Sequence, residues 1–312
     1  MAKLLKSLRL PVIAAPMFLV SGPSLVIASC KAGIIGTFPA LNPRTEPLLN
    51  EWLTQIRSEL DPTTPFGVNL IVHKTNKRLD GNLEQIVKHK VPLVITSLGA
   101  AKDVVDAVHE YGGVVFHDVT NITHARKAIK AYVDGLIAVT AGAGGHAGLA
   151  SPFALVPQLR SEFDGVICLG GAISTGGGIR AAQALGADFA YMGTRFIATQ
   201  ESMAQEEFKD MIISSKSGTS PTFLPIIYTD KISGVHANFL RSSLEQNGFD
   251  LKNIKGDGLG EEDFSQLHSD GKTNSGSAWK DIWSAGHGVL NIHDKPTVKT
   301  LVDRLEQEYQ VA

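Results

Sequence analysis

Short apolar runs alternate with amphipathic segments from Pro11 to Met192. The runs Pro11–Pro16 (PVIAAP), Gly33–Phe38 (GIIGTF), Pro65–Ile71 (PFGVNLI) and Val91–Ser97 (VPLVITS) are too short for helices and read as buried strands. Gly113–Val119 (GVVFHDV), Asp134–Val139, Val166–Leu169 and Asp188–Met192 read the same way. Between them lie helical patterns. Glu46–Leu60 places Leu48, Leu49, Trp52, Leu53, Ile56 and Leu60 on one face. Leu79–His89 and Ala101–Tyr111 are helical. Ser24–Ala32 reads as a helix capped by Ser24, and Asn121–Tyr132 as one capped by Asn121. This alternation predicts parallel strands joined by right-handed crossovers. The chain is therefore α/β, and the repeats fit a (β/α)8 TIM barrel better than the alternative, an open doubly wound sheet.

After Gln200 the alternation stops. Ser202–Ser215 is an amphipathic helix, Lys216–Pro225 a polar loop, and Tyr228–Ser233 leads to a helix-like Asn238–Asn247. Ile254–Gly276 is polar and glycine-rich and reads as a solvated segment. Ser277–Asn291 regains aromatic residues, and Lys295–Tyr309 is a closing amphipathic helix. The expected division is a barrel over residues 1–200, completed by 284–312. A smaller, mostly helical lid over 201–283 is inserted after strand eight.

The 312 residues, 43% hydrophobic with net charge -2, can bury a large core and offer no basic footprint for nucleic acid. No apolar run approaches the length of a membrane span. Arg9 and Pro11 interrupt the mildly basic N-terminal stretch, which reads as an amphipathic lead-in to the first strand rather than a signal peptide. Cys30 and Cys168 lie in apolar surroundings and read as free thiols of a reducing, cytoplasmic compartment. No Cys/His spacing suggests a metal.

In a barrel of this kind the active site lies at the C-terminal strand ends. There stand Pro16 and Met17, Asn69, Ser97, Asp118, Thr120, Gly170 and Gly171, and Gly193 and Thr194. The sixth strand runs into Ala141-Gly142-Ala143-Gly144-Gly145 and delivers His146, an imidazole inside a glycine loop. Two further glycine-rich stretches, Cys168–Gly178 and Met192–Phe196, each lead into a helix. Backbone N–H groups in such turns suit a phosphate. Neither a GxxxxGK[ST] loop nor a strand–GxGxxG–helix is present. His117 is read as structural, because strand alternation sends it or Asp118 away from the barrel interior. His73, His89, His109, His124, His236, His268 and His293 have no supporting context.

Ala15-Pro16-Met17, Gly67-Val68-Asn69, Ala143–Gly148, Gly170-Gly171, and Leu185–Asp188 running on to Met192–Phe196 together resemble the nitronate monooxygenases, formerly 2-nitropropane dioxygenases. That superfamily also holds FMN-dependent NAD(P)H:quinone reductases and enoyl-acyl carrier protein reductases. The resemblance implies FMN as cofactor. Gly170, Gly171, Gly193 and Thr194 would hold its phosphate. Pro16, Met17, Ala143 and Gly144 would pack near the ring, with Asn69 and Asp118 at its polar edge. His146 would be the catalytic residue, with Gly145 and His287 on the substrate side. The implied reaction is oxidation of an alkyl nitronate with O2. An NAD(P)H-dependent reductase of a quinone or enoyl thioester is the alternative, and a non-catalytic barrel binding a phosphorylated small molecule is the alternative of another class. A homo-oligomer is left open. Two positions depart from the family pattern: Gly142, where relatives often carry glutamate, and His287, where they often carry glutamine.

Overall fold

The computed structural model describes residues 8–99, 101–215, 225–251, 254, 272–273, 276–277 and 279–312. Residues 1–7, most of the loop expected over Lys216–Pro225 and most of the segment expected over Ile254–Gly276 lie outside the described residues, as does His268.

Eight parallel strands close a barrel. They are β1 (Val12–Ala14), β2 (Ile35–Pro39), β3 (Phe66–Ile71), β4 (Leu93–Ser97), β5 (Val114–Val119), β6 (Gly135–Val139), β7 (Val166–Gly170) and β8 (Phe189–Met192). Pairing of Ile13 with Tyr191 and of Ala14 with Met192 completes the ring, which excludes the open sheet. Period-2 alternation sorts the side chains. Ile13, Ile35, Ile95, Phe116, Ile137, Cys168 and Phe189 fill the interior. Val68, Leu70, Val94, Leu136 and Leu169 face outward beneath the helices.

Those helices are α1 (Pro23–Lys31), α2 (Glu46–Glu59), α3 (Leu79–Lys88), α4 (Lys102–Glu110), α5 (Ile122–Lys130), α6 (Pro152–Arg160) and α7 (Gly176–Ala184). Asn121 caps α5 as expected, its Oδ1 accepting from His124 N at 2.9 Å. Ser24 does not cap α1. Gly22 holds that position and Pro23 opens the helix, where its missing N–H leaves nothing unsatisfied.

After β8 come α8 (Thr194–Ile197), α9 (Glu206–Ser214), β9 (Ile226–Thr229), β10 (Ala237–Leu240) and α10 (Arg241–Gln246). The helix expected from Asn238 begins at Arg241. Asn238–Leu240 instead pairs antiparallel with β9, because Ala237 and Phe239 enter one apolar cluster and Leu240 another. The extended pair Gly145–His146 joins the edge of β10 as a third strand, His146 opposite Ala237. Beyond a 3-10 turn at His287–Asn291, α11 (Val298–Val311) returns to the barrel wall. There Val298, Leu301, Val302 and Leu305 meet Leu10, Leu25 and Ile179. No helix among the described residues is long and apolar enough to cross a membrane.

Phe189 lies in the barrel interior, 1% exposed. Phe189→Ala is expected to lower unfolding free energy by about 3–5 kcal/mol, read from the denaturant midpoint at unchanged slope.

Candidate active site

A cavity of about 860 Å³ opens at the C-terminal strand ends. Pro16, Met17, Asn69, Asp118, Ala143, Gly144, Gly145, His146, Gly170, Gly171, Gly193 and Thr194 all line it. His287 does not. Its side chain is exposed, and the cavity wall takes only its neighbours Gly286 and Gly288. The backbone of this segment still belongs to the site. His287 N donates to Gly142 O at 2.9 Å, and Thr194 Oγ1 accepts from Gly286 N at 2.9 Å.

Glycine is required where this segment crosses the loops. A Cβ on Gly286 would collide with Gly142 O and stand 2.7 Å from Gly144 N, both backbone atoms. Behind the turn after β7, Ser174 Oγ is buried with no partner. The N-terminus of α7 is partly used already, since Gly176 N donates to Glu308 Oε2 at 2.7 Å. The donors left for an anion are therefore those of the turns themselves. The two departures from the family pattern touch each other: a Cβ on Gly142 would lie 3.3 Å from the His287 ring. Gly142 also has φ +88°, which favours glycine and strains a larger residue.

The floor is polar. Asn69 Nδ2 donates to Ile95 O at 3.2 Å and to Ser97 Oγ at 2.7 Å, and Ser97 Oγ donates to Asp118 Oδ2 at 2.5 Å. Burial pushes the Asp118 carboxyl up to about 6, against the lowering effect of the Ser97 hydrogen bond. Strand alternation turns His117 away from Asp118, yet it too lines the cavity. Its Nδ1 meets Thr96 Oγ1 at 2.7 Å, and burial lowers its pKa to about 4.

The roof comes from the insertion. Besides the strand pairing, Asn238 Nδ2 donates to Ala143 O at 2.7 Å, Gly145 N donates to Ser284 Oγ at 2.7 Å, and Tyr228 OH donates to Ala147 O at 2.9 Å. The His146 ring stands edge-on to Trp279 with centroids 5.3 Å apart, and its Nε2 is buried without a partner. Burial lowers the His146 pKa to about 4, so the ring is neutral at physiological pH.

The family described as Nitronate monooxygenase matches residues 2–308. The chain belongs to the nitronate monooxygenase family. It is an enzyme, an oxidoreductase. A Neurospora crassa nitronate monooxygenase is 29% identical over 66% of this chain and 65% of its own length. A Rhodococcus jostii (3aS,4S,5R,7aS)-5-hydroxy-7a-methyl-1-oxo-octahydro-1H-indene-4-carboxyl-CoA dehydrogenase is 26% identical over 94% of this chain and 90% of its own. In fold, the chain resembles a nitroalkane oxidase from Streptomyces ansochromogenes. The TM-score is 0.80 at 24% identity, covering 99% of this chain and 98% of that one.

Ser97, expected at the site from its strand end, lines the cavity of this nitronate monooxygenase family member. Tyr191 lines it too, and alternation along the eighth strand is the signal that marks it. His236, Tyr228 and Trp279 also line the cavity, and no local pattern marks them. Tyr228 and His236 arrive through antiparallel pairing that brings this sheet to Gly145–His146, with Tyr228 stacked on His236 at 5.2 Å, and Trp279 arrives on a turn.

Gly286→Ala is expected to force the crossing loops apart, lowering stability by about 1–3 kcal/mol and weakening anion binding in the same corner. Gly177→Ala, where an added Cβ finds its nearest neighbour at 3.8 Å, is expected to be neutral or stabilising by up to about 1 kcal/mol. Thermal melts with and without added flavin phosphate check both.

Proposed function

We propose that this enzyme is an FMN-dependent nitronate monooxygenase, with an alkyl nitronate as substrate and O2 as terminal acceptor. The observation that carries the reading is one cavity lined both by the glycine turns at Gly170-Gly171 and Gly193-Thr194 and by a neutral imidazole, His146. The residues fit a flavin mononucleotide. The turns at Gly170-Gly171 and Gly193-Thr194 offer backbone donors to its phosphate, and Ser174 Oγ behind them has no protein partner. Pro16, Met17, Ala143 and Gly144 offer apolar or close-packed surface to a flat ring, and Asn69 and Asp118 offer polar groups to its edge.

Bound FMN supplies the electron-accepting chemistry. The chain's task is to place the substrate, orient it and keep it dry. His146, neutral and weakly basic, is better suited to hydrogen-bond the oxygens of a nitronate already formed than to deprotonate a nitroalkane. Trp279 stands edge-on to its ring, and Tyr228 holds the next residue by donating to Ala147 O. We read residues 201–283 as the lid and, from two buried free thiols, the cytoplasm as the compartment.

One observation supports a second reading, an acyl-thioester oxidoreductase using NAD(P)H. The cavity extends outward over α5 past Asn121, His124 and Lys127, which is more room than a small nitronate needs. Under that reading, Lys127→Ala raises KM for an acyl-CoA thioester and leaves nitronate turnover unchanged.

The purified protein is expected to be yellow and to release about one FMN per chain on heating, identified by chromatography. His146→Ala is expected to keep the flavin and lose about 100-fold or more in kcat/KM with propyl-2-nitronate. A colourless protein that takes up no FMN overturns the reading, and an unchanged rate removes His146 from it.

A further inference from the structure

The hydrogen atoms of the cavity floor have one consistent arrangement. A carbonyl only accepts, so the Asn69 atom facing Ile95 O is Nδ2. That same Nδ2 donates to Ser97 Oγ, which directs the Ser97 hydroxyl hydrogen to Asp118 Oδ2. The chain ends at Asp118 Oδ1, a buried atom with no partner on a residue of the cavity wall. Because Oδ2 already receives a hydrogen, a proton taken up by this carboxyl goes to Oδ1.

We propose that Asp118 is a proton-switched hydrogen-bond donor to the cofactor. In its acid form it gives the Oδ1 hydrogen to an acceptor atom on the edge of a conjugated heterocycle such as a flavin ring. In its ionised form it withdraws that bond and sets a negative charge beside the ring. This rests on the flavin reading above and deepens it.

The surroundings favour such a switch near neutral pH. Burial raises this carboxyl to about 6, and the Ser97 hydrogen bond pulls it the other way. From β4 it meets Ser97, itself bonded to Asn69 of β3, and neither of these titrates. The titratable groups that sense its charge are Cys168 on β7 and Tyr191 on β8, both pushed well above their usual range by burial and so neutral. His117, its chain neighbour, lines the same cavity, is bonded to Thr96, and is held neutral by burial, which lowers its pKa to about 4. Ser97 is a positioning residue: it fixes which oxygen carries the proton and at what pH the proton leaves.

The test uses the flavin-loaded protein, with flavin Kd from fluorescence on dilution and the reduction midpoint potential, both from pH 5 to 8.5. The flavin phosphate itself titrates near 6, so Asp118→Asn supplies the baseline. Relative to that variant, the wild type is expected to lose more than tenfold in affinity between pH 5.5 and 8. Its midpoint potential is expected to fall below the variant's above pH 6.5 and to match it at pH 5, because ionised Asp118 opposes an anionic reduced ring. Ser97→Ala removes the bond that stabilises the carboxylate, so the inflection moves to higher pH. Wild-type and Asp118→Asn profiles that run parallel overturn the proposal, as does an inflection that Ser97→Ala leaves in place. A wild type that takes up no flavin overturns the flavin reading and this proposal with it.

Discussion

The pairing of Gly145–His146 with Ala237–Asn238 is the contact on which the site depends. A (β/α)8 barrel leaves its C-terminal strand ends open to water. Here the loop after β6 leaves the barrel, becomes an edge strand of the inserted sheet, and carries His146 with it. The imidazole is therefore placed by the loop that follows β6 and held by its pairing with β10. Asn238 strengthens the joint by donating to Ala143 O, and Ser284 by accepting from Gly145 N. The low basicity of His146 follows from this cover, since burial is its cause.

A second constraint is the crossing at Gly286. The chain returns from the insertion to the barrel by threading between the loops at Gly142–Gly144 and the turn at Ala172, at distances that only glycine permits. This crossing fixes Thr194 through its hydroxyl and orders the turns offered to an anion. Further along, Arg195 ties the start of α8 to the approach of α11. Its Nη2 donates to Asp294 Oδ1 at 3.2 Å, and Arg304 Nη2 donates to Asp294 Oδ2 at 2.6 Å.

Much of this was legible in the chain itself. All eight barrel strands coincide with the apolar runs, six of them wholly inside, while β2 and β7 each extend one residue further, to Pro39 and Gly170, because a parallel strand is buried on both faces. Asn69, Asp118 and His146 follow from strand ends and a glycine loop, which are local signals. Three features were not local. Asn238–Leu240 has no pattern that separates it from the following helix until β9 lies beside it. His236 looks incidental until the same pairing carries it to the cavity. His287 follows a glycine in a motif that suggests a site, yet its backbone is what the site uses, and its ring packs outside over Gly142.

The central claim is that a nitronate, placed by His146, is oxidised at a flavin bound in this cavity. Anaerobic mixing of the purified yellow protein with propyl-2-nitronate, NADH or NADPH, followed at the flavin absorbance maximum, tests it most directly. The account predicts fast bleaching by the nitronate and slow bleaching by either pyridine nucleotide. Fast bleaching by NADH or NADPH with none by the nitronate would contradict it.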